Sequence, residues 1–147
     1  MSKTDFDSDA VYDVLFVISG DDFDLDQVSL ALKWTPWQTW KKGEKRSFVK
    51  QDGTIHYFEG THENSGWKLL SEHHIQNSSI EEQLEYWLHR LEEKREAIEW
   101  ISRSNLDMEL VCATFDDCET MNLNSALLRG LGNLGIDIEI IFYGDQD

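Results

Sequence analysis

Hydrophobic positions in this chain change period several times, and the changes predict alternating strands and helices. The short, mostly β-branched run Val14–Ile18 is typical of a central strand with both faces covered. Asp24 can then cap a helix, because an aspartate side chain accepts from backbone N–H groups of the first turn. That helix must end before Pro36, because proline disfavours helical geometry in the residue before it.

Two alternating runs within residues 47–58 flank Asp52-Gly53, a dipeptide that favours a tight hairpin turn. Residues 60–65 are loop-like, and residues 66–73 predict a further strand. The sheet is therefore expected to have an antiparallel portion here.

A long amphipathic helix is predicted from Ser79 to about Arg103. Ser78 and Ser79 each have a glutamate three residues later, which is a helix-start signature. Its apolar positions repeat at helical spacing, and they are Ile80, Leu84, Trp87, Leu88, Leu91, Ile98 and Ile101.

The last third predicts a strand, a helix and a final strand. Residues 108–115 and 136–143 alternate as strands do, and Asn124 can cap the helix between them. Gly135 is placed to end that helix in a left-handed conformation. Its expected buried side is Leu127, Leu128, Leu131 and Leu134.

These elements predict one α+β domain over residues 11–143, with flexible polar or acidic ends at residues 1–10 and 144–147. We expect a mostly antiparallel, twisted sheet with helices on one face. The order resembles the ferredoxin-like β-α-β-β-α-β pattern with an extra helix and strand appended. The strand order is not determined by the pattern.

Composition narrows the classes of function. The 147 residues carry a formal net charge of −16, and residues 41–50 form the one basic stretch. Such a field repels nucleic acid and anionic membranes and attracts basic proteins. With no signal-like N-terminus or membrane-length apolar run, a cytoplasmic protein is expected. Cys112 and Cys118 are too few for a disulfide scaffold, which favours reduced thiols.

Several segments together resemble a bacterial family catalogued as domain of unknown function 4279. They are residues 18–29, Pro36-Trp37 through Glu44, Gly66–Glu72 with the following helix, and Leu134–Asp137. The chain departs from the family pattern at Lys33, because such sequences commonly have Leu-Gly before the proline turn. The resemblance covers residues 11–143 and implies a small α+β domain without known catalytic residues. Proteins of this kind are often encoded near toxin systems, which implies a toxin-neutralising role.

Residues with catalytic or metal-binding chemistry form no convincing pattern. Asp22, Asp24 and Asp26 have the spacing that opens a calcium loop, but Gln27 and Lys33 occupy positions that need Gly and Glu. The five histidines lack metal-ligand spacing, and no nucleophile elbow is present. We therefore expect neither an enzyme nor a cofactor.

Two features are candidate partner-binding surfaces. The acidic residues of the long helix either form a solvated face or plug a basic cleft. The tryptophan segment, Trp34–Arg46, is favoured as a structural turn, with a protein interface or single-stranded nucleic acid as alternatives. The candidate residues are Glu81, Glu85, Glu92, Glu96, Asp116, Asp117, Trp37 and Trp40.

The sequence thus favours a non-enzymatic protein that binds and neutralises a basic protein partner, such as a toxin or nuclease domain. The alternative is a module that binds a small ligand or peptide between the sheet and the tryptophan segment. The oligomeric state is not determined.

Overall fold

The computed structural model describes residues 14–49, 52–71, 78–114 and 121–142. Its strands are β1 (Val14–Gly20), β2 (Gln38–Trp40), β3 (Lys45–Val49), β4 (Ile55–Thr61), β5 (Ser65–Leu70), β6 (Asp107–Thr114) and β7 (Asp137–Phe142). Its helices are α1 (Leu25–Leu32), α2 (Ile80–Glu93), α3 (Arg95–Arg103) and α4 (Ser125–Asn133).

Five strands form the main sheet, in the order β2-β5-β1-β6-β7. β1 pairs antiparallel with β5 and β6, β2 pairs antiparallel with β5, and β7 is parallel to β6. The predicted α+β class and the mostly antiparallel sheet are confirmed. The order is compatible with the ferredoxin-like expectation, with β3 and β4 inserted after β2 and with α4 and β7 appended.

The predicted hairpin around Asp52-Gly53 is present, but it lies outside the main sheet. Among the strands that the structure describes, β3 and β4 pair only with each other and form a separate two-stranded sheet. Asp52 Oδ1 accepts from the backbone N–H of Thr54 at 2.9 Å, and Gly53 has φ +91°. The short strand β2, and not the hairpin, pairs with β5 in the main sheet.

The core lies on one face of the main sheet. Val14, Phe16 and Ile18 of β1 are fully buried there, among the apolar side chains of all four described helices. Leu15 and Val17 alternate to the other face, which we call the open face. Val17 is only 8% exposed there, although no described helix packs against that face. The expectation of helices on one face is confirmed.

The side-chain caps predicted from the sequence are present at the start of three helices. Asp24 Oδ1 accepts from the N–H groups of Asp26 and Gln27, at the start of α1. Ser79 and Glu82 form a reciprocal capping box at the start of α2. Asn124 accepts from Leu127 N–H, which caps α4.

The exit from α1 takes a conformation that usually selects glycine. Lys33 has φ 59° and ψ 37°, in the left-handed region. Its N–H donates to the carbonyl of Ser29 at 2.8 Å, which closes the last turn of the helix. Lys33 therefore places a side chain where a Cβ is disfavoured.

The long helix predicted to Arg103 is broken at Lys94, which corrects the sequence expectation. The Lys94 N–H donates to the carbonyl of Leu91, three residues back, at 3.0 Å. This tighter turn ends α2, and α3 then packs against α1. The spacing of apolar residues does not indicate the break. Leu91 and Ile98 are both buried and lie seven residues apart, which is also the spacing of two turns in a continuous helix.

The sequence prediction that Leu128 lies on the buried side of α4 is wrong. Leu128 is 46% exposed, whereas Leu127, Leu131 and Leu134 are buried. Leu128 follows Leu127 directly, so it points about 100° further round the helix. Gly135 has φ +75°, as its predicted helix-ending role requires.

Candidate interaction surfaces

The acidic residues selected on the long helix have different environments. Glu81 Oε2 accepts from the backbone N–H of Asn122 at 3.1 Å, so it ties α2 to the segment before α4. Glu85 and Glu92 are exposed on α2, and Glu96 is exposed on α3 beyond the break. We call Glu85, Glu92 and Glu96 the helix carboxylates.

Two cations near this surface, Arg90 and Lys94, are turned toward an aromatic ring. The Arg90 guanidinium lies 4.5 Å from the centre of the Trp34 ring and donates to Tyr86 Oη at 2.9 Å. Lys94 Nζ lies 5.6 Å from the same ring. Between residues that the structure describes, the one ion pair joins Lys42 Nζ to Asp21 Oδ1 at 2.6 Å. No described cation therefore forms an ion pair with the helix carboxylates.

The tryptophans of the tryptophan segment divide into structural and exposed residues. Trp34 packs edge-on against Phe16 and Trp87, with ring centres 6.4 and 6.0 Å apart. Trp37 is 57% exposed, while its backbone N–H donates to the carbonyl of Lys68 at 2.7 Å. Trp34 is thus a structural residue. Trp37, for which the sequence favours a structural role at the end of the sheet, leaves its aromatic side chain in solvent.

Trp40 lies on the open face, over Gly66 of the neighbouring strand. A Cβ at position 66 would overlap the Trp40 ring. The His62 ring stacks on Trp40 with centres 5.3 Å apart, and Lys68 Nζ lies 5.2 Å from the Trp40 centre. Burial, followed by the nearby charge of Arg46, lowers the pKa of His62 below its ordinary value. Trp40 therefore joins the base of the hairpin to the main sheet.

Three of the four basic residues of the tryptophan segment make contacts within the chain. Lys42 pairs with Asp21, as described above, so it binds one of the domain's own carboxylates. Lys45 Nζ lies 5.0 Å from the centre of the Tyr57 ring. The Arg46 guanidinium lies 5.5 Å from the centre of the Phe58 ring.

A second acidic surface, missed in the sequence, lies on the open face at β6 and β7. Burial, followed by the charges of Glu139, Asp137 and Asp107, raises the pKa of Glu109. The register places Glu109 beside Asp137 and beside Val17. We call these four acids the sheet carboxylates. In the sequence, these acids occupy alternate positions of two strands, and the positions between them are apolar.

The structure does not bring the predicted partner-binding residues into one site. Trp40 is on the open face, whereas α2 and α3 pack on the opposite face with the core. Asp116 and Asp117 lie outside the described residues. The candidate set therefore separates into the helix carboxylates and the tryptophan segment.

A cleft of about 470 Å³ lies between the start of α1 and the tryptophan segment. Asp22, Asp26, Pro36 and Lys41 contribute to its lining. Among the residues that the structure describes, no group of three or more His, Cys, Asp and Glu side chains could hold a metal ion. No described helix is both long enough and apolar enough to cross a membrane.

The buried thiol has no sign of nucleophilic chemistry. Cys112 is fully buried in the core, and burial raises the pKa of its thiol to about 12. A thiol with such a pKa stays protonated near neutral pH, and the thiolate is the nucleophile. Cys118 lies outside the described residues.

The fold and these surfaces define a small α+β domain with its helices on one sheet face and acidic groups on both sides. The chain belongs to the family described as Domain of unknown function (DUF4279), which it matches over residues 9–145. Comparison with curated proteins and with solved structures found no significant match.

Proposed function

We propose that this protein binds a basic protein domain through the helix carboxylates Glu85, Glu92 and Glu96. The observation that supports this proposal most directly is the orientation of Arg90 and Lys94 toward Trp34. These two cations lie against an aromatic ring, and Glu85, Glu92 and Glu96 form no ion pair with another described residue, so they can attract an external cation.

The overall charge favours the same kind of partner. A net charge of −16 accelerates encounter with a basic protein and disfavours association with nucleic acid. An inhibitor that must act before a toxin or nuclease reaches its target benefits from fast association. Neutralisation of such a partner by covering its basic cleft is therefore the biological role that we propose, and it requires no catalytic residue in this chain.

The test measures binding of the purified protein to the purified products of the genes adjacent to its own. We expect a basic partner whose association slows as salt increases, because charged surfaces are screened. Replacing Glu85 and Glu92 by Gln is expected to slow association by about tenfold at low salt. The matched control replaces Glu59 and Glu63, which are exposed on the hairpin side, and removes the same charge.

The proposal fails if no adjacent gene product binds at low salt. It also fails at this surface if the Glu85/Glu92 variant associates as fast as the wild type. A slower association in the Glu59/Glu63 control alone would move the binding surface to the hairpin.

A second candidate is a small cationic ligand in the cleft beside α1, because Asp22 and Asp26 contribute to its lining. Such a ligand would raise the melting temperature by mass action. A screen of amines by thermal shift checks this candidate, and replacing Asp22 by Asn should abolish any shift. If no amine raises the melting temperature, small-cation binding at this cleft is rejected.

A further inference from the structure

The hairpin of β3 and β4 exposes an unusual amount of apolar surface. All seven residues of β4 are exposed, and Ile55, Tyr57 and Phe58 remain 52%, 54% and 41% accessible. A two-stranded sheet is marginally stable by itself in water. Large apolar groups on such an arm are typical of a protein interface.

The arm is anchored at its base and carries positive charge beside its aromatic rings. The N–H of Gly43 donates to the carbonyl of His62, and the N–H of His62 donates to the carbonyl of Glu44. Further along, Lys45 lies over Tyr57 and Arg46 lies over Phe58. A complementary surface would therefore combine carboxylates with apolar side chains.

The sheet carboxylates and their surroundings have that combination. Leu15 and Leu70 pair in register on the same open face as Glu109 and Glu139, and both leucines are partly exposed. Burial, and after it the charges of the other three sheet carboxylates, raises the pKa of Glu109. Between the described residues, none of these carboxylates forms an ion pair with a cation.

The two surfaces lie at opposite edges of the main sheet. The hairpin follows the edge strand β2, whereas the acidic groups lie on β6 and the other edge strand β7. Four strand spacings separate these edges, a distance of about 19 Å. A strand of the length of β4 spans about 23 Å, which is enough to cross the open face of another molecule.

We propose that the hairpin of one chain packs across the open face of a second copy, and that the second copy does the same in return. Lys45 would then meet Glu109, Asp137 and Glu139 of the other chain. Ile55 and Tyr57, which share one face of β4, would pack on Leu15 and Leu70. The exchange is reciprocal, as twofold symmetry requires. The helix carboxylates lie on the opposite layer and stay available, so this inference does not depend on the proposed function.

Sedimentation equilibrium of the purified protein tests the dimer and its pairing. A dimer has twice the chain mass of 17.2 kDa and should weaken as salt increases. Lys45→Glu and Glu139→Arg, both at exposed positions, should each raise the dimer dissociation constant by roughly tenfold or more. An equimolar mixture of the two variants should restore dimerisation, because every arm then meets an opposite charge.

Controls separate the arm from other exposed apolar groups. Tyr57→Ser should weaken the dimer, whereas Leu30→Ser, at a position 75% exposed on α1, should not. Circular dichroism of each variant verifies folding. A wild-type protein that stays monomeric at its highest soluble concentration overturns the proposal. So does a mixture of Lys45→Glu and Glu139→Arg that dimerises no better than either variant alone.

Discussion

The indole N–H of Trp87 donates to the hydroxyl oxygen of Ser71 over 2.9 Å, and both residues are buried. The Ser71 hydroxyl also lies 3.1 Å from Gln83 Oε1, which accepts from the backbone N–H of Val14 at 3.1 Å. These contacts join the start of β1, the end of β5 and the middle of α2. A small polar network therefore fixes how the helix layer sits on the sheet.

Replacing Gln83 by Met should lower the free energy of unfolding by about 2–3 kcal/mol. The substitution keeps the side-chain length but removes the acceptor for a buried backbone N–H, and an unsatisfied buried donor is costly. Urea unfolding measures the effect, and Gln27→Met on the exposed side of α1 serves as the control. A Gln83→Met protein as stable as the control would show that the network contributes little.

Replacing Gly66 by Ala should destabilise the protein by about 1–3 kcal/mol, because the new methyl group overlaps the Trp40 ring and forces it to move. At Gly132, an added Cβ would have no atom of another part of the protein within 4 Å. The same substitution there should stabilise α4 by about 0.5–1 kcal/mol. Thermal unfolding compares the two variants. If the contact with Trp40 is responsible, Trp40→Ala should remove most of the penalty of Gly66→Ala.

Replacing Lys33 by Gly should raise the free energy of unfolding by about 1 kcal/mol. Lys33 holds a left-handed conformation in which glycine has no steric penalty. Lys33→Ala is the control, because it removes the charged side chain and keeps the Cβ. Equal stability of the two variants would contradict a conformational origin.

Burial of Glu109, together with the nearby charges of the other sheet carboxylates, should make stability depend on pH. Its pKa in the folded protein is raised above the ordinary value of 4.5, so the unfolded chain loses this proton first as pH rises. The free energy of unfolding should therefore fall between pH 4.5 and the raised pKa and stay lower at neutral pH.

Glu109→Gln removes this ionisation, so the variant should be more stable than the wild type at pH 7. The advantage should disappear below pH 4.5, where the wild-type carboxyl is protonated in both states. Chemical denaturation at several pH values measures the difference, with Glu59→Gln on the exposed strand β4 as the control. A constant difference across pH would exclude ionisation as its cause.

Structural features that depend on a few adjacent residues were predicted correctly from the sequence. The caps at Asp24, Ser79 and Asn124 and the turns at Gly53 and Gly135 depend on side chains and dihedral angles within one turn of chain. Such interactions act in the same way in any fold, which is why the elements and the α+β class could be predicted.

Features that depend on distant packing were not predicted. The break at Lys94 places α3 against α1, and the three residues of β2 form a strand because β5 pairs with them. The sheet carboxylates were missed because their crowding requires the parallel pairing of β6 with β7, which the sequence did not determine. For the same reason Trp40 was grouped with the acidic helix, although the sheet separates them.

The two ends of the hairpin meet, since Gly43 and His62 are hydrogen-bonded where the arm leaves the body of the protein. An insertion whose ends are adjacent can lengthen, shorten or change sequence during evolution without altering the connection between β2 and β5. The core and the arm are thus free to diverge at different rates. Members of the family could keep one scaffold and acquire different recognition specificities by exchanging this single segment.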